Sequence, residues 1–170
     1  NAAGTKVNSN LSITVVAAPV IASFSGAPSS ITAGNATALT ANFSNGSGVV
    51  DNGVGAVSSG VGASASPSST TTYTLTVNNG LSDAGSTATA QTAVTVVPQP
   101  TITSFAANPS SMTAGNSAAL QFVFAGGSGS IDNGVGAVNS GVDATVSPSS
   151  TTTYQLSVNN GLSDAGSTVT

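Results

Sequence analysis

Between Thr72 and Val77 the chain alternates without a break: Tyr73, Leu75 and Val77 are apolar, while Thr72, Thr74 and Thr76 carry hydroxyls. A period of two sends the first set to one face of a strand and the second to the other. Thr, being β-branched, is at home on a solvated sheet face. Leu39, Ala41 and Phe43 form the same kind of set upstream, and Leu120, Phe122 and Phe124 form a larger one downstream. With the Gly, Pro, Asn and Ser that bound such runs, this alternation predicts strands near 20–25, 36–44, 48–51, 55–58, 61–66, 70–78 and 86–97. That leaves little room for a helix. An all-β chain with about seven short strands in about 80 residues suits a small antiparallel β-sandwich.

The same pattern is then written a second time. Shifting the chain by 81 residues lays 20–89 over 101–170 without a gap, with 48 of those 70 positions identical. Pro28 falls on Pro109, Phe24 on Phe105, Gly34 on Gly115 and Tyr73 on Tyr154, and the same shift carries "LSITVV" (11–16) onto "TAVTVV" (92–97). A fixed period of this length is the mark of a tandem array. The expected organisation is one repeat over 19–98, a second over 99–170 whose last strand is incomplete, and a segment 1–18 that corresponds to the last strand of a preceding repeat. Residues 1–18 are thus either the tail of an excerpted repeat or a strand donated to a neighbouring subunit.

Composition narrows the chemistry. Five Asp, one Lys (Lys6) and no Glu, Arg, His, Cys or Trp give a net charge of −4. General acid/base catalysis near neutral pH draws mostly on His, Glu, Lys or Cys, and a Ser with no base beside it remains an ordinary alcohol. No enzyme and no cofactor are therefore expected. A chain with one Lys cannot neutralise a row of phosphates, so no nucleic-acid partner is expected. The longest nearly apolar run, "VVAAPVIASF" at 15–24, is too short to span a bilayer and holds a Pro, so no membrane insertion is expected either. Hydrophobic residues still make up 39% of the chain, enough for a core, and about three residues in ten are Ser or Thr. A hydroxyl- and amide-covered surface points to an extracellular or cell-surface polymer. Lys6 has no counterpart in the repeat and reads as a solvated edge-strand residue.

Two motifs could hold a cation. "DNGVGAV" stands at 51–57 and again at 132–138, and "NNGLSDAGST" at 78–87 and 159–168. Asp51, Asp83, Asp132 and Asp164 are the weak metal candidates, the first pair only if the two loops meet. An ordinary calcium site needs six or more oxygens including several carboxylates, more than either motif supplies. Asn-Gly, by contrast, gives the positive φ of a two-residue hairpin turn. The prediction is a turn, with Gly53 and Gly134 as structural residues and Val54 and Val57 directed to the core. All seven aromatics, Phe24, Phe43, Tyr73, Phe105, Phe122, Phe124 and Tyr154, fall on inward positions. A sandwich of this size cannot spare them for a sugar-stacking platform.

The run "F.A.P.S.TAG..A.L", then "DNGVGAV.SG", then "SPSSTTTYTLTVNNGLSDAGST" resembles the tandem immunoglobulin-like domains, close to the PKD type, of bacterial secreted and cell-surface proteins. The likeness covers the whole chain and departs from that type in lacking the Trp of one core strand. It implies tandem immunoglobulin-like antiparallel β-sandwiches used as spacers or binding modules, with Tyr73 and Tyr154 where a tyrosine-corner residue stands. Pro19, Pro98 and Pro100 lie in the linkers "VVAAPVI" and "VVPQPTI", where a fixed φ and a missing donor oppose both sheet continuation and floppy coil. At about 3.3 Å per strand residue each repeat adds roughly 35 Å. The expected function is a surface stalk or filament whose partners are adjacent repeats or neighbouring copies. The alternatives are a head-to-tail polymer joined by strand donation from residues 1–18, and a carbohydrate- or ligand-binding module of an adhesin with an unknown surface ligand.

Overall fold

A computed structural model describes residues 9–170. Fifteen strands and no helix make up its regular structure, and no helix among the described residues is long and apolar enough to cross a membrane. Ser9–Pro19 belong to no strand, and the reading of Lys6 lies outside the described residues.

The first half contains β1 (Val20–Ala27), β2 (Ser30–Thr32), β3 (Thr37–Ser44), β4 (Ser47–Val50), β5 (Gly55–Val57), β6 (Gly62–Ala65), β7 (Thr71–Asn78) and β8 (Thr87–Val97). One sheet runs β1-β3-β6 and the other β2-β8-β7-β4-β5. All pairings are antiparallel except that of β2 with β8, which is parallel and runs from Ser30 opposite Thr95 to Thr32 opposite Val97. The two sheets close on one core. Leu39, Ala41 and Ala65 come from the first sheet, and Ile31, Val50, Tyr73, Leu75, Val77 and Val94 from the second. Alternation decided the faces as expected: along β7, Tyr73, Leu75 and Val77 are buried while the threonines between them keep part of their surface in water.

The second half repeats this layout. It contains β9 (Thr101–Asn108), β10 (Ala118–Ala125), β11 (Ser128–Ile131), β12 (Gly136–Val138), β13 (Ala144–Val146), β14 (Leu156–Asn159) and β15 (Thr168–Val169). Its sheets run β13-β10-β9 and β12-β11-β14-β15. Four strands, β9 to β12, sit 81 residues after β1, β3, β4 and β5 with identical bounds. Phe122, which replaces Ala41, meets Phe105 edge-on at 6.4 Å and stacks on Phe124 at 6.2 Å.

The halves differ in one region. β7 is covered along its full length by β8, from Thr71 opposite Val94 to Asn78 opposite Thr87. β15 pairs only with Val158 and Asn159. Consequently Thr151–Gln155 form no strand, and the counterpart of β2, residues 111–113, is not a strand either. Tyr73 is 3% exposed, whereas Tyr154 is half-buried at the edge of its core. Tyr73 is enclosed in its core, and Tyr154, which the 81-residue shift matches to it, packs at the edge of its own because no strand of the described residues covers it.

Candidate functional site

Each "DNG" is a turn whose carboxylate is spent on the backbone. Asn52 (φ 52°) and Gly53 (φ 83°) both have positive φ, and Val54 N donates to Asp51 O at 3.3 Å, the signature of a reversal that L-residues other than Asn rarely adopt. Val50 pairs with Gly55, so the loop is 51–54, two residues longer than the predicted hairpin turn. Asp51 Oδ1 accepts from Thr74 N at 2.8 Å, and Asn52 Nδ2 donates to Thr72 O at 2.9 Å, tying the turn to β7. The second half reproduces both bonds: Gln155 N to Asp132 Oδ1 at 2.8 Å, and Asn133 Nδ2 to Thr153 O at 2.7 Å. Beside Tyr73, burial first and the Asp51 charge second push the phenol pKa above its ordinary value.

Asp51 and Asp83 do not meet. Asp51 bonds to Thr74, and Asp83 lies in the loop beyond Asn78, at the other end of β7. Among the described residues no three carboxylate, imidazole or thiol groups come together as a metal site would require. The seven aromatics all contribute to one of the two cores or pack against it, so none forms an exposed platform.

The loop 79–86 and its copy 160–167 have a different role, which sequence spacing did not reveal. Within each loop the Asn side chains hold the backbone: Gly80 N donates to Asn78 Oδ1 at 2.6 Å and Gly161 N to Asn159 Oδ1 at 2.7 Å. The second loop thereby projects onto the end of the first half. Asp164 accepts from Thr32 N at 2.7 Å through one oxygen and from Thr32 Oγ1 at 2.5 Å through the other. Asn35 Nδ2 donates to Ala165 O at 2.8 Å, and Asn160 Nδ2 donates both to Thr32 Oγ1 at 2.9 Å and to Pro98 O at 3.1 Å. Gln99 Nε2 closes the joint on Ala33 O at 3.1 Å. The Thr32 hydroxyl is the first cause, and its backbone N–H the second, holding the Asp164 carboxyl below the usual carboxylate range. Pro19 and Pro100 are buried at the starts of the two halves, and Pro98 is exposed.

The partners of this joint recur, 81 residues away, at both outer ends of the chain. Asn79 Nδ2 donates to Ala17 O at 3.1 Å, as Asn160 does to Pro98. Asp83, the counterpart of Asp164, is exposed. Thr113, the counterpart of the fully buried Thr32, is exposed as well. Its turn is already formed, since Asn116 N donates to Thr113 O at 3.1 Å as Asn35 N does to Thr32 O at 3.0 Å.

A cavity of about 510 Å³ lies beside Thr113, lined by Ala107, Met112, Ala118, Leu120, Val146 and Tyr154 among others. The counterparts of five of these, Ile31, Thr37, Leu39, Ala65 and Tyr73, are all under 9% exposed in the first half. Val94 of β8 fills the equivalent space there, its Cγ2 lying 3.1 Å from where a Cβ on Gly26 would stand. No protein-family model, curated protein or solved structure matches this chain.

Proposed function

We propose that this chain is a length of an extracellular stalk or filament, built from immunoglobulin-like β-sandwiches of the PKD type and used for reach rather than for chemistry. The observation that carries this reading is the joint. A three-residue linker, 98–100, contains two prolines, and the Asp164, Asn160 and Asn35 side chains fasten one half to the next across it. Two sandwiches held by a bidentate carboxylate and several amide bonds have a preferred relative orientation, which is what a spacer needs to stand away from a surface.

The other features support the same reading. The Asp residues of the turns are bonded to backbone, and the aromatics belong to the cores. A surface rich in Ser, Thr and Asn with almost no charge keeps such a rod soluble through hydrogen bonding to water. A sugar-binding module would present exposed aromatics, and none stands out.

Small-angle scattering tests the stalk. The expected result for the 170-residue chain, at a concentration where it is monomeric, is an elongated particle with one dominant length, and for Asp164→Ala a broader distribution of lengths with each half still folded. A particle whose halves tumble independently before any substitution would overturn the reading.

A further inference from the structure

Asn is a thermolabile side chain, and an Asn-Gly step makes it more so. With no Cβ in the way, the Gly backbone nitrogen can reach the Asn Cγ and close a five-membered ring. The chain has five such steps, at Asn45, Asn52, Asn79, Asn133 and Asn160. Among the described residues, only Asn160 of these five has its carboxamide bonded across the joint: Nδ2 donates to Thr32 Oγ1 at 2.9 Å and to Pro98 O at 3.1 Å.

We propose that Asn160 is a modification site, at which spontaneous deamidation opens the joint for good. In the closed joint every group the reaction needs is engaged. Nδ2 has two acceptors, Oδ1 accepts from Leu162 N at 3.0 Å, and the attacking nitrogen, Gly161 N, donates to Asn159 Oδ1 at 2.7 Å. The reaction therefore waits for a local opening, and its rate follows the open fraction. Water is the only co-reactant. Gly161 N bonds to Asn160 Cγ, the Cγ–Nδ2 bond breaks, and Nδ2 leaves as ammonia with the Gly161 proton. Water then opens the imide at one of its two carbonyls, giving Asp or an isoaspartate whose main chain is longer by a methylene.

Neither product can rebuild the joint. A carboxylate has no hydrogen to donate to Pro98 O or to Thr32 Oγ1. The Thr32 hydroxyl already gives its single hydrogen to Asp164 Oδ1, so a second carboxylate would meet the first across one oxygen atom, like charge against like. Closing the joint protects the amide, and losing the amide keeps the joint open.

The molecule supplies an internal control. The ten residues 78–87 repeat at 159–168 without a change, so Asn79 and Asn160 have the same local chemistry. Gly80 N and Leu81 N donate to Asn78 and Asn79 as Gly161 N and Leu162 N donate to Asn159 and Asn160. Asn79 Nδ2, however, bonds to Ala17 O and not to the joint. A change in the joint should thus move the rate at Asn160 alone.

The inference rests on the joint that also carries the stalk reading, and the measurement separates the two. The 170-residue chain and Asp164→Ala are held warm at mildly alkaline pH, and conversion of each Asn-Gly step to the acid is followed by peptide mass spectrometry. Asn160 should convert about tenfold faster in Asp164→Ala, the factor by which losing a charge-assisted hydrogen bond shifts an opening equilibrium. Asn79 should convert equally in both. Asn160→Asp, the product made directly, should broaden the lengths seen by small-angle scattering more than Asn160→Ala does, and added salt should narrow that gap. Equal rates at Asn160 in the two proteins, or no conversion in either, overturn the proposal. So does an Asn160→Asp particle as uniform as the unsubstituted chain. Either result with a particle of one dominant length leaves the stalk standing, whereas halves that tumble independently before any incubation strike the stalk itself.

Discussion

Gly48 shows how little tolerance a single position can have. It is buried on β4 against Phe43, and a Cβ there would stand 2.6 Å from the ring Cζ. Its counterpart Gly129 faces the Phe124 ring in the same way. The glycine is present because an aromatic ring occupies the volume its side chain would need, not because the backbone is unusual. Gly48→Ala should destabilise the first half by about 1–3 kcal/mol through overpacking, measured by denaturant unfolding, and an unchanged midpoint would remove this account. The turn residues Asn52 and Asn133 are the opposite case, since their φ of 52° is a backbone demand that sequence alone made visible. Asn-Gly after Asp is legible as a turn because few residues accept positive φ. That the Asp51 and Asp132 carboxylates cap the neighbouring strand was not legible, as the backbone donors they accept from, Thr74 N and Gln155 N, lie 23 residues away.

At the scale of the element, the two tyrosine strands make a paired experiment within one chain. Tyr73 on β7 lies under β8, and Tyr154 lies beside a slot that no strand of the described residues covers. Tyr73→Ala should cost about 3–5 kcal/mol, in the range for removing a buried aromatic. Tyr154→Ala should cost clearly less, both losses being measured by denaturant unfolding. Equal losses would mean that Tyr154 is as fully covered in solution as Tyr73. Alternation placed the long strands within a residue or two of where they are, because each has one buried face and period two leaves no ambiguity there. β2 escaped it. Three residues are too few to show a period, and its parallel partner Thr95–Val97 lies 65 residues away.

Across the whole molecule the joint responds to acid in a defined direction. Because hydrogen bonds from Thr32 lower the Asp164 pKa in the folded joint, the carboxylate's contribution is complete above the ordinary Asp value of about 3.9. It is lost only as pH falls through the lowered value. The inter-half geometry should therefore be constant from neutral pH down to about 4 and loosen below it, and Asp164→Asn should lack that acid transition. Scattering as a function of pH checks this, and loosening between neutral pH and that limit would assign the joint to other groups. The group is near the surface, so added salt should blunt the effect.

The sequence by itself determined the all-β class, the strand faces, the 81-residue period and the turn chemistry, since each is a local consequence of alternation, of positive φ or of self-similarity. It also exposed the absence of the usual catalytic residue types. Only the tertiary structure decided which of the repeated residues act across the joint. Asp83 and Asp164 stand in the same ten-residue motif, yet one is exposed and the other is bonded to Thr32 across a separation of 132 residues. The same holds for "LSITVV" and "TAVTVV": their local pattern is shared, and the second is paired with β7 and β2. A local pattern sets what a segment can pair with, and the fold sets whether a partner is within reach.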